Sequence, residues 1–527
     1  MSLPATGRLT RQDILDLPSV PAISPSYPHG PYRFLNREYF IITYETDRES
    51  LLSIVPDPLV PNPLNRVLYE WIAMPDSSGF GDYQESGVVI PCTLDGQEVN
   101  FVASMFLDCE PPIGCGREIW GFPKKRASPV MRVDHDTLVG TLDYASQNLA
   151  TGTMAYKYQT VPTEEARKSL MKLQTCLKII PGLGDDPEVA QLVGFNLCEV
   201  EVLGAWKGPA RLHLQNSATA PLAMLPVHRV IEGKHILANL TLPYGRVLYD
   251  YLSQKQQPPT LPRQQQPAPS STPVRFTEDR VRETPSMPAF APSFPDAAPL
   301  ITTKQGVVVV YQAQDVNHIL PHLPQAIELL SDQVYLSVGS HEGLGVGAYS
   351  RCQIHVLVRM KGSEERFMYP LFCLADCSSL VTFGREKYGK PFKYGFPQLS
   401  VDKDTLVISV RYGSQEVIRG SMLYKHHRSD PSELHQILSA NEIFLKFIPS
   451  PDGENHQVCQ LVSSANENLK LDEVYSGQAA LTFFPHVHAP FSDVPIKQIV
   501  HAYHYSGIHC QHPNSVLLDF LAPSRQT

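Results

Sequence analysis

The chain has 527 residues, a formal charge of −9 and a hydrophobic fraction of 43%. That length predicts two to four domains at roughly 100–200 residues each, and the acidic balance argues against a nucleic-acid binder, which needs a basic face to meet phosphates. Ten cysteines without a CxxC pair are no disulfide scaffold, MSLPATGRLTRQDILDL holds no apolar signal core, and no apolar run reaches the ~20 residues of a membrane span.

The expectation is therefore a cytoplasmic protein with reduced thiols and no membrane partner. The 47 prolines favour short strands and loops over long helices. In chain order, RQDILDL predicts a short helix, followed by the proline-rich segment PSVPAISPSYP. REYFIITYET reads as a strand from its β-branched and aromatic residues. VLYEWIAM is strand-like and puts Leu68, Glu70 and Ile72 on one side. LVGTLDYASQNLATGTMAYKY predicts a hairpin with one buried face and a turn at Ser146–Asn148. PTEEARKSLMKL predicts a helix, with Pro162 at its start, acids early and bases late. Residues 253–274, SQKQQPPTLPRQQQPAPSSTPV, have no apolar stripe and read as a linker.

Beyond the linker the same elements return. PSVPAISPSYP from Pro18 matches PSMPAFAPSFP from Pro285, 267 residues later. GREIWGFPKK from Gly116 matches GREKYGKPFK from Gly384, and VDHDTLVGTLDY from Val133 matches VDKDTLVISVRY from Val401, each 268 residues later. An offset this steady marks two copies of a whole domain, far longer than a solenoid unit. The predicted organisation is a domain over 1–252, a linker over 253–274 and a second domain over 275–527, mainly β (α+β) with a few short helices.

The most unusual local feature is Pro123-Lys124-Lys125 after the apolar run Ile119, Trp120, Gly121, Phe122. Read alone, two adjacent lysines suit a solvated surface. Buried behind these aromatics, or crowded by a second cation, a lysine loses part of its preference for the charged form. Its neutral amine then attacks ketones to form a Schiff base.

Over about residues 8–252 the chain resembles acetoacetate decarboxylase, the usual example of that effect. The resemblance rests on GPYRF-x-NREYF, Y-x-ESG, LD-x-EP-x-I-x-x-GRE, PKK, VD-x-DTLVGTLDY, LKIIP and VLYDYL. It implies that Lys124 is the Schiff-base lysine and Lys125 the neighbour that perturbs it. It further implies that Glu85 and Glu70 are active-site carboxylates and that Arg37 orients the substrate carboxylate. Phe122 is the expected apolar wall of the substrate site. For the fold, it implies two tandem domains, each a large antiparallel β-barrel, closed or cone-like.

The second copy departs from this pattern. Phe392 replaces Lys124, Lys393 keeps the place of Lys125, and Arg351 replaces Glu85. The alignment puts Leu336 at the position of Glu70 and Lys304 at that of Arg37. A phenylalanine forms no imine, so this copy is expected to keep the fold and lose the reaction. Lys390, two residues earlier, is a conceivable substitute nucleophile. His501, His504, His509, Cys510 and His512 match no zinc spacing and read as strand and loop histidines. EGLGVG at Glu342–Gly347 reads as a plain turn.

The expected function is a lyase, a Schiff-base decarboxylase of β-keto acids with acetoacetate as the default substrate. No metal and no organic cofactor is expected, because the lysine supplies the electron sink. The expected partners are the small keto acid and further copies of the chain in a homo-oligomer. The alternatives are an aldolase or dehydratase on the same scaffold and a non-catalytic ligand-binding protein.

Overall fold

The structure, a computed structural model, describes residues 7–253, 275–295, 300–343 and 345–523. Residues 254–274 of the expected linker lie outside the described residues. The chain forms two compact units that do not follow the sequence boundaries. The Lys124 unit comprises His29–Ser293 with Ser450–Glu454; the Phe392 unit comprises Met1–Pro28, Phe294–Pro449 and Asn455–Thr527. The proline-rich arm at the start of each copy thus belongs to the unit built from the other copy.

The Lys124 unit is mainly strand. Its long sheet runs through Cys198–Gly208, Arg229–Leu242, Tyr32–Glu45, Arg66–Ser77, Gly81–Leu94, Gln97–Leu107 and Gln174–Pro181, in that neighbour order. Most pairs are antiparallel, but Gln97–Leu107 runs parallel to Gln174–Pro181 and to the short strand Lys124–Arg126. A second sheet of four strands includes the predicted hairpin, Thr137–Tyr144 with Gln147–Ala155. Its turn lies at Ala145 and Ser146, both at positive φ, one residue before the expected position. Leu138 and Leu142 form its buried face. The two sheets meet at Trp71, which stacks on Phe40 and donates from Nε1 to the Thr141 carbonyl at 3.0 Å. Gly140 and Gly152 make the room: a Cβ on either would lie within 2.5 Å of the indole.

Helices are few and short, as expected. Thr163–Leu170 follows Pro162, with Glu164 and Glu165 in its first turn and Arg167 and Lys168 in its last, each placed to suit the helix dipole. Arg11–Leu15 carries a capping box between Thr10 and Asp13.

The Phe392 unit repeats the layout. Gly347–Met360, Ile327–Gly343, Leu300–Ala313, Ile496–Asp519, His456–Ser476, Glu442–Pro449 and Arg366–Ala375 are successive neighbours, and the last pairs with the first. Ile14, Leu17 and Val20 of the first arm are part of this unit's apolar core. The arm is tied by backbone bonds: Leu9 donates to the Leu323 carbonyl and accepts from Gln325. In the Lys124 unit, Phe276 of the second arm donates to the Leu52 carbonyl and accepts from Asp57.

The strand pairings change two register assignments. Gly339 pairs with Arg351 as Ile72 pairs with Glu85, so Ser337 and not Leu336 holds the position of Glu70. Leu336 faces the apolar core. Lys304 does not stand in for Arg37: its ammonium pairs at the surface with Glu342, at 2.7 Å. A bulge between Thr303 and Gly306 leaves Thr303 at the cavity instead.

Candidate active site

A cavity of about 140 Å³ opens within the Lys124 unit, with Arg37, Glu70, Ile72, Met105 and Phe122 among its walls. Each wall residue follows from strand alternation. Leu68, Glu70 and Ile72 face the cavity, while Tyr69 and Trp71 are buried on the opposite side. The register of Arg66–Ser77 against its neighbours sets Glu70 opposite Ile41 and Glu85 opposite Ile72.

Lys124 reaches this region from the strand Lys124–Arg126, paired in parallel with Met105. Its Nζ lies 2.8 Å from Glu85 Oε1 and donates to the Pro112 carbonyl at 3.2 Å. It also sits 4.9 Å from the centroid of the Phe122 ring. The helix Pro111–Ile119 leaves space for the lysine by carrying Gly116, where a Cβ would stand 2.9 Å from Lys124 Cδ. Gly121 turns the chain between them at φ 81°, and a side chain there would strike the backbone of Lys178. Lys124 and Glu85 are 6% and 3% exposed, so their ion pair is desolvated on both sides.

Arg37 joins the group at 3.9 Å from Glu85 Oε2, with its guanidinium over the rings of Phe34 and Tyr39. Its Nε is buried and has no hydrogen-bond partner among the described residues. That donor is open to an incoming acceptor. Glu70 is half-buried at the wall. Desolvation pushes its carboxyl up to about 7, with Glu85 adding to the rise and Arg37 opposing it. It can therefore hold or release a proton near neutral pH.

Five of the six expected residues thus converge: Lys124, Glu85, Glu70, Arg37 and Phe122. Lys125 is placed differently. Successive residues of a strand point to opposite faces, and its ammonium donates to the Thr219 carbonyl at 2.7 Å and the Pro292 carbonyl at 3.4 Å. Burial, and then the Arg117 guanidinium, push the Lys125 ammonium down to about 7.

Sequence reasoning did not single out Arg117. It is 1% exposed and donates to the carbonyls of Lys124 and Met287 and to Ser293 Oγ. It therefore fastens the backbone of the lysine strand to the second arm. Arg385 does the same in the Phe392 unit, donating to the carbonyls of Phe392 and Val20 and to Ser26 Oγ. The signal was in the sequence: each GRE triplet and each PSxPAxxPSxP segment occurs twice.

In the Phe392 unit, Phe392 pairs with Cys373 as Lys124 pairs with Met105. Its ring packs against Gly384 as Lys124 packs against Gly116. Lys390 stands where Phe122 stands, so the lysine and the phenylalanine have exchanged places across the proline.

A family profile described as Acetoacetate decarboxylase (ADC) matches residues 17–252 and 286–521. An acetoacetate decarboxylase of Paraburkholderia phytofirmans is 49% identical over 239 residues, 45% of this chain and 94% of that relative. One of Burkholderia pseudomallei is 52% identical over 237 residues, 45% of this chain and 96% of the relative. The solved acetoacetate decarboxylase from Legionella pneumophila is 44% identical over 48% of this chain and all of that one, with a TM-score of 0.44.

Proposed function

The chain belongs to the acetoacetate decarboxylase family and is a carboxy-lyase, and from that premise we propose that its first copy decarboxylates a β-keto acid through a Schiff base on Lys124. The observation that carries the reading is the buried contact of Lys124 with Glu85, beside Arg37 and a Glu70 that titrates near neutrality.

Glu85 accepts the proton that the ammonium must lose. The neutral amine attacks the keto carbon, and the carbinolamine loses water to give an iminium ion. Glu70, poised to carry a proton near pH 7, is the acid for that loss. Arg37 offers its open Nε donor to the substrate carboxylate. The bond between the α-carbon and the carboxylate then breaks. Its electron pair moves into the new carbon–carbon double bond, and the iminium nitrogen becomes a neutral enamine nitrogen. Carbon dioxide leaves, the enamine takes a proton at carbon, and water hydrolyses the resulting iminium to release ketone and lysine. The apolar wall at Phe122 favours these steps, because charge disappears as they proceed. Lys125, on the other strand face, positions the lysine strand against the second arm. Acetoacetate, giving acetone, is the substrate the relatives point to.

The test is carbon dioxide release from acetoacetate by the wild-type chain and by Lys124→Ala. Release by the wild type alone supports the reading. Release by neither, or equally by both, overturns it. The second copy has Phe392 at the nucleophile position and does not turn over.

A further inference from the structure

We propose that the second copy holds a separate ligand site, a pocket in the Phe392 unit that binds a small monocarboxylate anion through Arg351 and the imidazoles beside it. The proposal is independent of the decarboxylase reading.

A cavity of about 60 Å³ lies in this unit, lined by Arg351, His341, His355, His509, Glu442 and Gln511 among others. A copy that had only lost its chemistry would be expected to fill or neutralise its old site. The strand register shows the reverse. Met74, paired with Tyr83, has His341, paired with Tyr349, as its counterpart. Val89, paired with Val102, corresponds to His355, paired with Pro370. Leu240, paired with Phe34, corresponds to His509, paired with Ile301. Three apolar positions have thus become imidazoles. Burying polar groups costs free energy unless they are partnered; Thr303 meets His341 Nδ1 at 3.1 Å and Glu442 meets His355 at 3.2 Å, which offsets the cost only in part.

The charges leave one cation unmatched. Glu442 is occupied: Lys390 Nζ lies 3.5 Å and His355 Nε2 lies 3.2 Å from its oxygens, and Gln511 donates to it. Lys390 also donates to Gln511; burial pushes its ammonium down, with Glu442 opposing. Arg351 faces this cluster but makes no hydrogen bond or ion pair among the described residues. Burial, with Arg351 next, keeps His341 well below its ordinary value and His509 down to about 3, so both rings are neutral donors or acceptors. With Glu442 engaged by Lys390 and His355, Arg351 is the cation of the lining left without an ion-pair partner among the described residues, and a single guanidinium there fits a monoanion and disfavours a dianion.

Size and walls narrow the ligand. A water needs roughly 10–15 Å³ of such space, so the cavity takes a ligand of a few heavy atoms. Ile437 and Leu438, from the helix Ser432–Ser439, give one side an apolar surface suited to a short alkyl chain. A carboxylate on Arg351 makes the bidentate, charge-assisted contact that the guanidinium geometry favours.

The test is calorimetric titration of the full chain with sodium acetate, with sodium chloride and inorganic phosphate as control anions. Acetate has no ketone and forms no imine with Lys124, so binding is read apart from the first copy's chemistry. In the Arg37→Met background, which removes the first copy's own carboxylate donor, one acetate per chain is expected, with binding weakened about tenfold or more when Arg351→Met is added, the scale of a lost charged hydrogen bond. Arg351→Lys should keep part of the affinity. If Arg351→Met does not fold, His509→Leu, which restores the residue of the first copy, should show the same loss. Several results would overturn the proposal: no binding by the wild type, equal binding by Arg351→Met or its substitute, or binding abolished by Arg37→Met alone. Phosphate binding tighter than acetate would overturn the monocarboxylate assignment.

Discussion

The Lys124 ammonium and the Glu85 carboxylate are in contact at 2.8 Å, each almost wholly shielded from water. In the second copy both partners are changed, to Phe392 and Arg351, so neither half of the pair survives there.

One covalent adduct per chain is expected when borohydride is added with acetoacetate, and peptide mapping should place it on Lys124. Lys124→Ala should give no adduct and lose activity by at least about a thousandfold, the scale seen when a nucleophile is removed. Labelling of Lys390 or Lys393, or two adducts per chain, would contradict the assignment.

Glu70 gives a pH signature. Its folded-state value of about 7 lies above the ordinary 4.5, so its stabilising contribution is complete below about 4.5 and is lost as pH rises through about 7. The melting temperature of the wild type should therefore fall relative to Glu70→Gln across that window. The rate profile should also lose an inflection near 7 in the variant. Parallel melting curves would show that Glu70 does not titrate there.

Lys125 should behave in the opposite sense. Its value is depressed from 10.5 to about 7, so its contribution is complete above about 10.5 and is lost as pH falls through about 7. Lys125→Met should be the more heat-stable protein below pH 7, with the gap closing as pH rises. Because Lys125 faces away from the cavity, its activity should fall less than that of Lys124→Ala. Complete inactivation with an unchanged melting curve would place Lys125 in the chemistry itself.

The two GRE arginines make a matched pair of tests. Arg117→Met and Arg385→Met each remove a buried donor shared by two carbonyls, one on the Lys124 or Phe392 strand and one on an arm, at a cost of about 1–3 kcal/mol. Both should lower the melting temperature. Only Arg117→Met should lower kcat, because only its carbonyl partner belongs to Lys124, the proposed Schiff-base residue. Equal loss of kcat in both would mean that the arginines act through global stability alone.

The duplication, the strand-rich class and the five converging residues were legible because each rests on a local pattern. Alternation along VLYEWIAM placed Glu70 on the cavity side, and the glycine-aromatic run before Lys124 announced its burial. Two things were not legible. A bulge after Thr303 moved Lys304 to the surface, and a bulge shifts register without changing composition. The exchange of arms was hidden for a different reason. PSVPAISPSYP and PSMPAFAPSFP offer the same pair of groups, a carbonyl at Val20 or Met287 and a serine at Ser26 or Ser293, so the sequence does not say which arm serves which unit. Reading the histidines as plain strand residues held for His501 and His504 but missed that His509 opens on a cavity.

The exchanged arms also set a timetable for synthesis. The segment ending at Pro28 is made well before the residues from Phe294 onward with which it belongs. The unit that holds Lys124 is incomplete until Met287 and Ser293 have emerged to meet Arg117, and its last piece, Ser450–Glu454, comes later still. A chain that stops between the copies lacks Met287, Ser293 and Ser450–Glu454 of the Lys124 unit. Most of the Phe392 copy is therefore made before the Lys124 unit has its last piece.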